Sequence, residues 1–496
     1  MKSLLLFLAG IISLVSFGQD GSLDTSFGDD GTVQTDIDGD TDLAISITQQ
    51  TDENLLVAGQ FKIQNQAFPS IARYNLNGTL DHSFGNSGVA VFSSSGYEDE
   101  YYRKVLSQND GKIIASGFFS LTANSQFVIN RFLANGSVDT GFGNNGEIIV
   151  FPEDNYNGDM ALLNDESFLV VGSIFENGIS NVGLKKYLPN GNLDTSFGNN
   201  GVVITQVGNE SSTAVQVEIS PDNKIVVFAS SQDNGLTSQV LLRYLPSGVL
   251  DTSYGSNGIV SIVNDPDFSS KNIALYDDGK IAVHSSFFDW QSDVITNLIF
   301  RFLSDGSFDT SFGSNGYLNP NRNNLAIRKI EIQQNQRLLI FGELTDFFEG
   351  GGPFFIKRYY VDGNVDTGFN FVINSSEYFV SDMLIQQDGK ITCLANTAWY
   401  NGQEDIIMER YINDPLSTPE FETNKTTIYP NPSNGIFTIE RELFSEKALF
   451  QITDITGKII ASGELTEKQS QLNLSALHSG VYFLKTHNGV FRLLKK

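Results

Sequence analysis

Aspartates occupy every second position from Asp36 to Asp42, and a hard divalent cation such as calcium wants several carboxylate oxygens gathered in this way. Asp36, Asp38, Asp40 and Asp42 are therefore the candidate metal ligands, and calcium is the one cofactor the sequence suggests. The stretch departs from the twelve-residue calcium loop: Thr41 stands where a glycine makes the sharp turn, and Ile47 where a glutamate would bind through both oxygens. Acids and aromatics also collect in polar stretches further on, which supply Tyr97, Tyr101, Tyr102, Tyr156, Phe287, Trp290, Phe348, Trp399 and Tyr400. Flat rings beside carboxylates can stack against a sugar and accept its hydroxyls, so these nine are the candidate ligand-binding residues.

Catalysis needs an activated nucleophile, a metal set or a positioned acid and base, and no such set is marked out. His82 and His284 fall in different parts of the chain with no metal-ligand spacing. Cys393 is the only cysteine, so no intrachain disulfide can form; it sits in the apolar run Ile391 to Leu394, where a buried thiol is inert. Gly198 to Gly201 is glycine-rich but lacks the Lys-Ser/Thr of a phosphate-binding loop. No catalytic residue is assigned. The sequence favours a binding, adhesion or structural module; the alternative is a polysaccharide-acting enzyme using carboxylates of the long loops.

A repeat must position these residues. Near copies of the stretch Gly191 to Gly201, with the pattern Gly-x-Leu-Asp-Thr-Ser-Phe-Gly-x-x-Gly, begin at Gly21, Gly78, Gly136, Gly191, Gly248, Gly306 and Gly363, 55 to 58 residues apart. So regular a period means one supersecondary unit stacked many times. The fourth unit shows the pattern: a β-branched run from Gly201 to Thr205, a polar loop, an alternating run from Ala214 to Ile219, a turn at Pro221 to Asn223, a return run from Lys224 to Ala229, a second loop, and Val240 to Leu245 before the next motif. Four strands per unit without helical periodicity, joined by Asn-Gly or Asp-Gly turns, predict an all-β chain. Its expected architecture is a seven-bladed β-propeller of four-stranded blades over residues 19–412, with the motif read as the join between blades. Loops after the first and third strands of each unit then share one face of the disc, and the long acidic and aromatic loops fall there.

Six units carry a base eight residues before the motif aspartate: Arg73 and Asp81, Arg131 and Asp139, Lys186 and Asp194, Arg243 and Asp251, Arg301 and Asp309, Arg358 and Asp366. Arg410 lacks a following aspartate and Asp24 lacks a preceding base, which predicts that the N-terminal segment closes the ring beside the last blade. Phe27, Phe84, Phe142, Phe197, Tyr254, Phe312 and Phe369 recur at one place in the motif, as packing between adjacent sheets requires. Pairs and rings alike are read as structural joints rather than as seven binding sites.

Two segments flank the array. Met1-Lys2 followed by the apolar run Leu4 to Phe17 has the form of a cleaved secretory signal over residues 1–18, and no later stretch is long and apolar enough to span a bilayer as a helix. Formal net charge is −27; the last 69 residues hold eight Lys/Arg against six Asp/Glu, so residues 19–427 carry −30. Such a surface repels nucleic acid and anionic lipid, and the chain is expected to be a monomer. Residues 413–427, with prolines among polar residues, read as a linker. Residues 428–496 alternate in short runs with Gly and Pro turns, as a small β-sandwich would.

The repeat motif, with Asp-Gly-Lys-Ile and Arg-Tyr-Leu-x-x-Gly at fixed distances, resembles the delta-60 repeat family across about residues 21–411. That resemblance implies a propeller-like fold frequent in secreted bacterial proteins and no general biochemical function. The last unit departs from it, with Gly368-Phe369-Asn370 in place of Ser-Phe-Gly. Tyr429, Pro430, Asn431, Pro432, Gly435, Gly457, Gly480, Tyr482, Lys495 and Lys496 lie in sequence contexts that resemble the type A C-terminal sorting domain of the type IX secretion system of the Bacteroidota. That resemblance implies recognition by the secretion translocon, removal by its sorting protease, and a protein secreted or attached to the outer surface of the outer membrane.

Overall fold

The computed structural model describes residues 20–39, 41–93, 99–120, 125–151, 158–263, 268–289, 294–320, 325–344, 353–369, 371–372, 378–397, 404–413, 426–441, 448–454, 458–465, 469–486 and 489–496. The expected signal and most of the expected linker lie outside these residues. The chain separates into two compact units, Met1–Pro415 and Leu416–Lys496.

In the fourth blade, Ser211–Ile219, Ile225–Asp233, Leu236–Tyr244 and Ile259–Val263 pair in that order as one antiparallel sheet. Successive side chains of a strand point to opposite faces, and here both faces are buried. Ile225, Val227 and Ala229 pack on the third blade with Leu169, Val171 and Leu184. Val226 and Phe228 pack on the fifth with Ile273, Ile281 and Val283. A strand packed on both sides has to be a continuous apolar run, which is why the return strands lack alternation. Among the described residues the first unit holds seven such four-stranded sheets, and their first strands neighbour one another round a closed circle.

The strand that opens each sequence unit lies elsewhere than expected. Val202–Thr205 is the outer strand of the third sheet, paired with Ile179–Tyr187, and not a member of the fourth. The motif between them therefore joins the third and outer strands of one blade, and the polar loop after Thr205 carries the chain to the next. Local pairing across a tight glycine turn decides this. Gly198 and Gly201 adopt φ of +53° and +90°, and a Cβ on Gly201 would lie 2.4 Å from Leu193 Cγ, so only glycine allows the chain to double back there. Because neighbouring strands are antiparallel, the face of the long loops is unchanged by this shift.

Closure follows the same logic. Thr32–Thr35 pairs with Ile406–Tyr411 as the outer strand of the last blade, whose other strands are Tyr378–Ile385 and Ile391–Thr397. Gly21 N–H donates to the Ile412 carbonyl (2.8 Å) and Asp24 N–H to that of Arg410 (2.8 Å).

The second unit is built from a three-stranded sheet, Thr426–Tyr429, Ile436–Arg441 and Gln469–Asn473, and a four-stranded one, Ile459–Leu465, Ala448–Asp454, Gly480–Thr486 and Gly489–Lys495. Phe437, Ile439, Ile452, Leu484 and Leu493 form its core.

Candidate functional site

The charges that repeat are the first place to look for chemistry, and each motif aspartate meets its base. Nε donates to Oδ2 between Arg73 and Asp81 (2.8 Å), Arg131 and Asp139 (2.9 Å), Arg243 and Asp251 (2.9 Å), Arg301 and Asp309 (2.7 Å), and Arg358 and Asp366 (2.7 Å). Lys186 Nζ lies 3.0 Å from Asp194. The predicted closing pair forms as well, Arg410 Nε donating to Asp24 at 2.9 Å. The second carboxylate oxygen caps the turn by accepting the N–H two residues on, at Ser26, Ser83, Ser253 and Ser311, and at Gly368 in the divergent last motif.

Each of these six guanidiniums lies 4.2 to 4.5 Å from the centroid of its motif ring, Phe27, Phe84, Phe142, Tyr254, Phe312 or Phe369, a favourable cation–π placement. Phe197 completes the set of buried rings. The same arginines then reach the following blade. Arg73 donates to the Ala134 carbonyl (2.7 Å), Arg131 to Pro189, Arg243 to Ser304, Arg301 to Val361, Arg410 to Leu76, and Arg358 to the Asn413 side chain (2.7 Å). Acid, base and ring thus brace one blade against the next, and they are structural. Burial pushes the Asp24 carboxyl up, but the Ser26 hydroxyl and amide, then Arg410 and Lys390, outweigh it and hold it at about 2.

A second ring lines the circle of first strands. One position per blade is polar: Ser46, Lys104, Asp159, Gln216, Asn272, Lys329 and Asp382. Each bonds onward. Val105 N–H reaches Ser46 Oγ (3.4 Å), Lys104 pairs with Asp159 (2.7 Å), Val217 N–H donates to Asp159 (3.0 Å), and Gln216 exchanges two bonds with the Ile273 backbone (2.8 and 3.1 Å). Asn272 donates to the Arg328 carbonyl (2.9 Å), Lys329 pairs with Asp382 (2.7 Å), and Ile47 N–H donates to Asp382 (3.0 Å), which returns to the first blade. Sequence reasoning missed this ring. Its signal was one polar residue at a fixed place in each otherwise alternating strand. Further along the first strand of the fourth blade, burial pushes the Glu218 carboxyl up to about 7 against the pull of Lys104, with Asp159 and Glu331 adding to the rise.

The three described aspartates of the stretch each accept a backbone N–H. Asp36 accepts Gly39 N–H (2.7 Å), Asp38 accepts Gln64 N–H (2.7 Å), and Asp42 accepts Ile37 N–H (2.6 Å); Asp40 lies outside the described residues. Among the described residues no three acidic, histidine or cysteine groups are placed to hold a metal ion. Asp42 is fully buried and its Oδ1 has no hydrogen-bond partner. Burial, despite the Ile37 bond, pushes its carboxyl up to about 8, with Asp36 and Asp405 adding to the rise.

Of the aromatic candidates, Tyr97, Tyr156, Trp290, Phe348, Trp399 and Tyr400 lie outside the described residues, and Phe287 is described only as a strand position. Tyr101 is half-buried, 6.4 Å from the Phe118 ring. Tyr102 requires a correction. It is fully buried, its hydroxyl donating to Asn130 (2.9 Å), because strand alternation turns it into the core against the first blade, whereas Tyr101 borders the core against the third. Cys393 is buried as expected. His284 is fully buried against Asn297 (2.9 Å) and His82 is exposed. Two residues on the long-loop face escaped notice, Phe175 and Leu236, at the tips of hairpins and 49% and 53% exposed.

In the second unit Asn431 clasps the last strand, donating to the Arg492 carbonyl (2.7 Å) and accepting Leu494 N–H (2.8 Å). Ser433 N–H donates to Leu494, and Lys496 N–H returns to Ser433 (2.9 Å each). The Tyr429 hydroxyl bonds Glu440 (3.0 Å) and Gln469 (2.8 Å), and Tyr482 donates to the His478 carbonyl (2.9 Å). Gly435 takes φ of +123°, with a Cβ there only 2.7 Å from Ser475 Cα. Pro430, Pro432, Gly480 and Lys495 lie in the same strands and turns, and Gly457 is outside the described residues.

Among the described residues no helix is long and apolar enough to cross a membrane. No curated protein matches this chain. Among solved structures it is similar to Drosophila semaphorin 2a (8% identity over 97% of this chain and 99% of that one, TM-score 0.48), to polysaccharide lyase Uly1 (9%, 80% and 97%, 0.47) and to a virginiamycin B lyase from Staphylococcus aureus (12%, 76% and 98%, 0.43). Likenesses at these scores decide nothing about what the chain does. Residues 50–84, 108–142, 169–197, 220–254 and 277–312 match the domain of unknown function (DUF5122) beta-propeller, and residues 427–496 match the secretion system C-terminal sorting domain. The sorting domain means export by the type IX machinery, to the cell surface or beyond it. The chain thus carries DUF5122 beta-propeller repeats and a type IX C-terminal sorting domain.

Proposed function

We propose that this protein is a secreted or surface-attached binding module that holds an extracellular glycan or protein ligand on the long-loop face of its propeller, and that its sorting domain is removed after export. The observation that supports it is a division of labour along the repeat. The acids, bases and rings that recur are engaged between blades, whereas the hairpin tips that do not recur present Phe175 and Leu236 half exposed. Apolar side chains standing free on one rim suit recognition of a partner surface. The mature chain applied to an array of extracellular glycans and matrix proteins tests this. Retention is expected to be weakened by Phe175→Ser or Leu236→Ser and left unchanged by Val249→Ser, an exposed position on the opposite face. Equal loss from both faces would count against the assignment.

A further inference from the structure

A groove of about 730 Å³ runs along the outer edge of the first blade, within the size range of small-ligand sites. It lies beside the short outer strand Val89–Val91, away from the long-loop hairpins at Phe175 and Leu236. Its floor is apolar, from Phe68, Leu80 and Val91. Its walls are carboxylates and amides. Asp36 and Asp38 are exposed, and each is held by one carboxylate oxygen on a backbone N–H, at Gly39 and Gln64 (2.7 Å each). Asp38 thereby ties the loop wall to the hairpin tip, so the acceptors stand in place before any ligand arrives. Asn86 also lines the groove.

Two classes of occupant fit poorly. A polypeptide adding as a further strand needs free edge groups, but the N–H and C=O of Val89 are both engaged by Asn86, at 3.2 and 2.7 Å. A polyanion meets two wall carboxylates on a chain of net charge −27. We propose that the groove binds a neutral, hydroxyl-rich carbohydrate chain, whose C–H faces lie on Phe68, Leu80 and Val91 while Asp36, Asp38 and Asn86 take its hydroxyls. The groove shares the Asp36–Asp38 loop and the Gln64 hairpin tip with the long-loop face, but it does not use Phe175 or Leu236 and does not depend on them.

Calorimetric titration of the whole mature chain with cellohexaose, laminarihexaose and maltohexaose, and with polygalacturonate as the charged control, tests the proposal. Asn86→Trp puts bulk into the groove from an exposed position, and Phe68→Ala removes part of the floor. At least one hexaose is expected to bind at millimolar Kd or tighter, with affinity falling tenfold or more in both variants, the melting temperature of Asn86→Trp unchanged, and no polygalacturonate binding. No binding of any hexaose overturns the proposal, as does binding that survives both variants. Binding that survives Asn86→Trp and is lost in Phe175→Ser also overturns it, while supporting the long-loop face.

Discussion

Replacing Asp42 by asparagine is expected to stabilise the propeller at neutral pH. The carboxyl is fully buried, one oxygen takes the Ile37 N–H at 2.6 Å, the other has no partner, and Asp36 and Asp405 bring more negative charge. Burial, the largest cause, lifts its pKa from 3.8 to about 8. A raised carboxyl keeps its proton in the folded state while the unfolded chain releases it, so its stabilising effect is fully present below 3.8 and is lost as pH rises to about 8. At pH 7 the gap corresponds to at most about 4 kcal/mol of destabilisation, at ~1.4 kcal/mol per pKa unit. Asparagine keeps the acceptor for Ile37 and carries no charge. In a unit of this size the difference amounts to about 5 °C in melting temperature. The assay is urea and thermal unfolding of both proteins from pH 5 to 9. Glu218 also titrates there, near 7, but it cancels in the difference between the two. That difference should grow with pH and level off above about 8. A variant no more stable than wild type at pH 8, or a difference independent of pH, refutes the reasoning.

The remaining predictions concern the joints and the tail. Arg410→Met leaves Asp24 buried without its main base, which costs about 3 to 5 kcal/mol in chemical unfolding, and hydrogen exchange should quicken first in Thr32–Thr35, the strand it anchors. Asp24 and Asp251 are both held at about 2 despite burial, chiefly by serine hydroxyls, with the motif arginines adding to the effect. Their contribution is present above 3.8 and is lost as pH falls through 2, so an acid titration of the propeller should show a loss of stability in that window, diminished in Asp251→Asn. Gly435→Ala forces a Cβ against Ser475 at positive φ and should lower the stability of the sorting domain by about 1 kcal/mol or more, read by its melting temperature. Deleting residues 427–496 should leave the protein inside the cell, as fractionation of cells and medium would report.

Much of the fold was legible because the repeat stated it seven times. The mismatch of Arg410 and Asp24 located the closing strand, since a buried charge needs its partner wherever the chain is cut. The sheet boundary was misplaced for a local reason. A strand run such as Val202–Thr205 pairs across the tight turn behind it, and sequence order alone does not reveal on which side of the motif a sheet ends. Tyr101 and Tyr102 looked alike as letters, and only the pleat separates a half-buried ring from a core one. The ring of polar positions on the first strands was hidden because its members differ in chemistry from blade to blade, so Ser46, Lys104 and Gln216 share a place without sharing a side chain. The long-loop face proposed to take a ligand was legible only as composition, whereas the groove beside Val89–Val91 draws on residues from Asp36 to Val138 that only the fold brings together.

The claim most open to direct contradiction is that this exported propeller binds rather than cleaves. Purified mature protein incubated with a panel of neutral and acidic polysaccharides, with binding measured by retention and cleavage by new reducing or unsaturated ends, addresses it in one experiment. Retention of at least one polymer or glycan with no new chain ends after prolonged incubation is the expected result. Chain ends that accumulate with time and vanish on changing a carboxylate of the long-loop face would contradict it and make the protein a polysaccharide-acting enzyme.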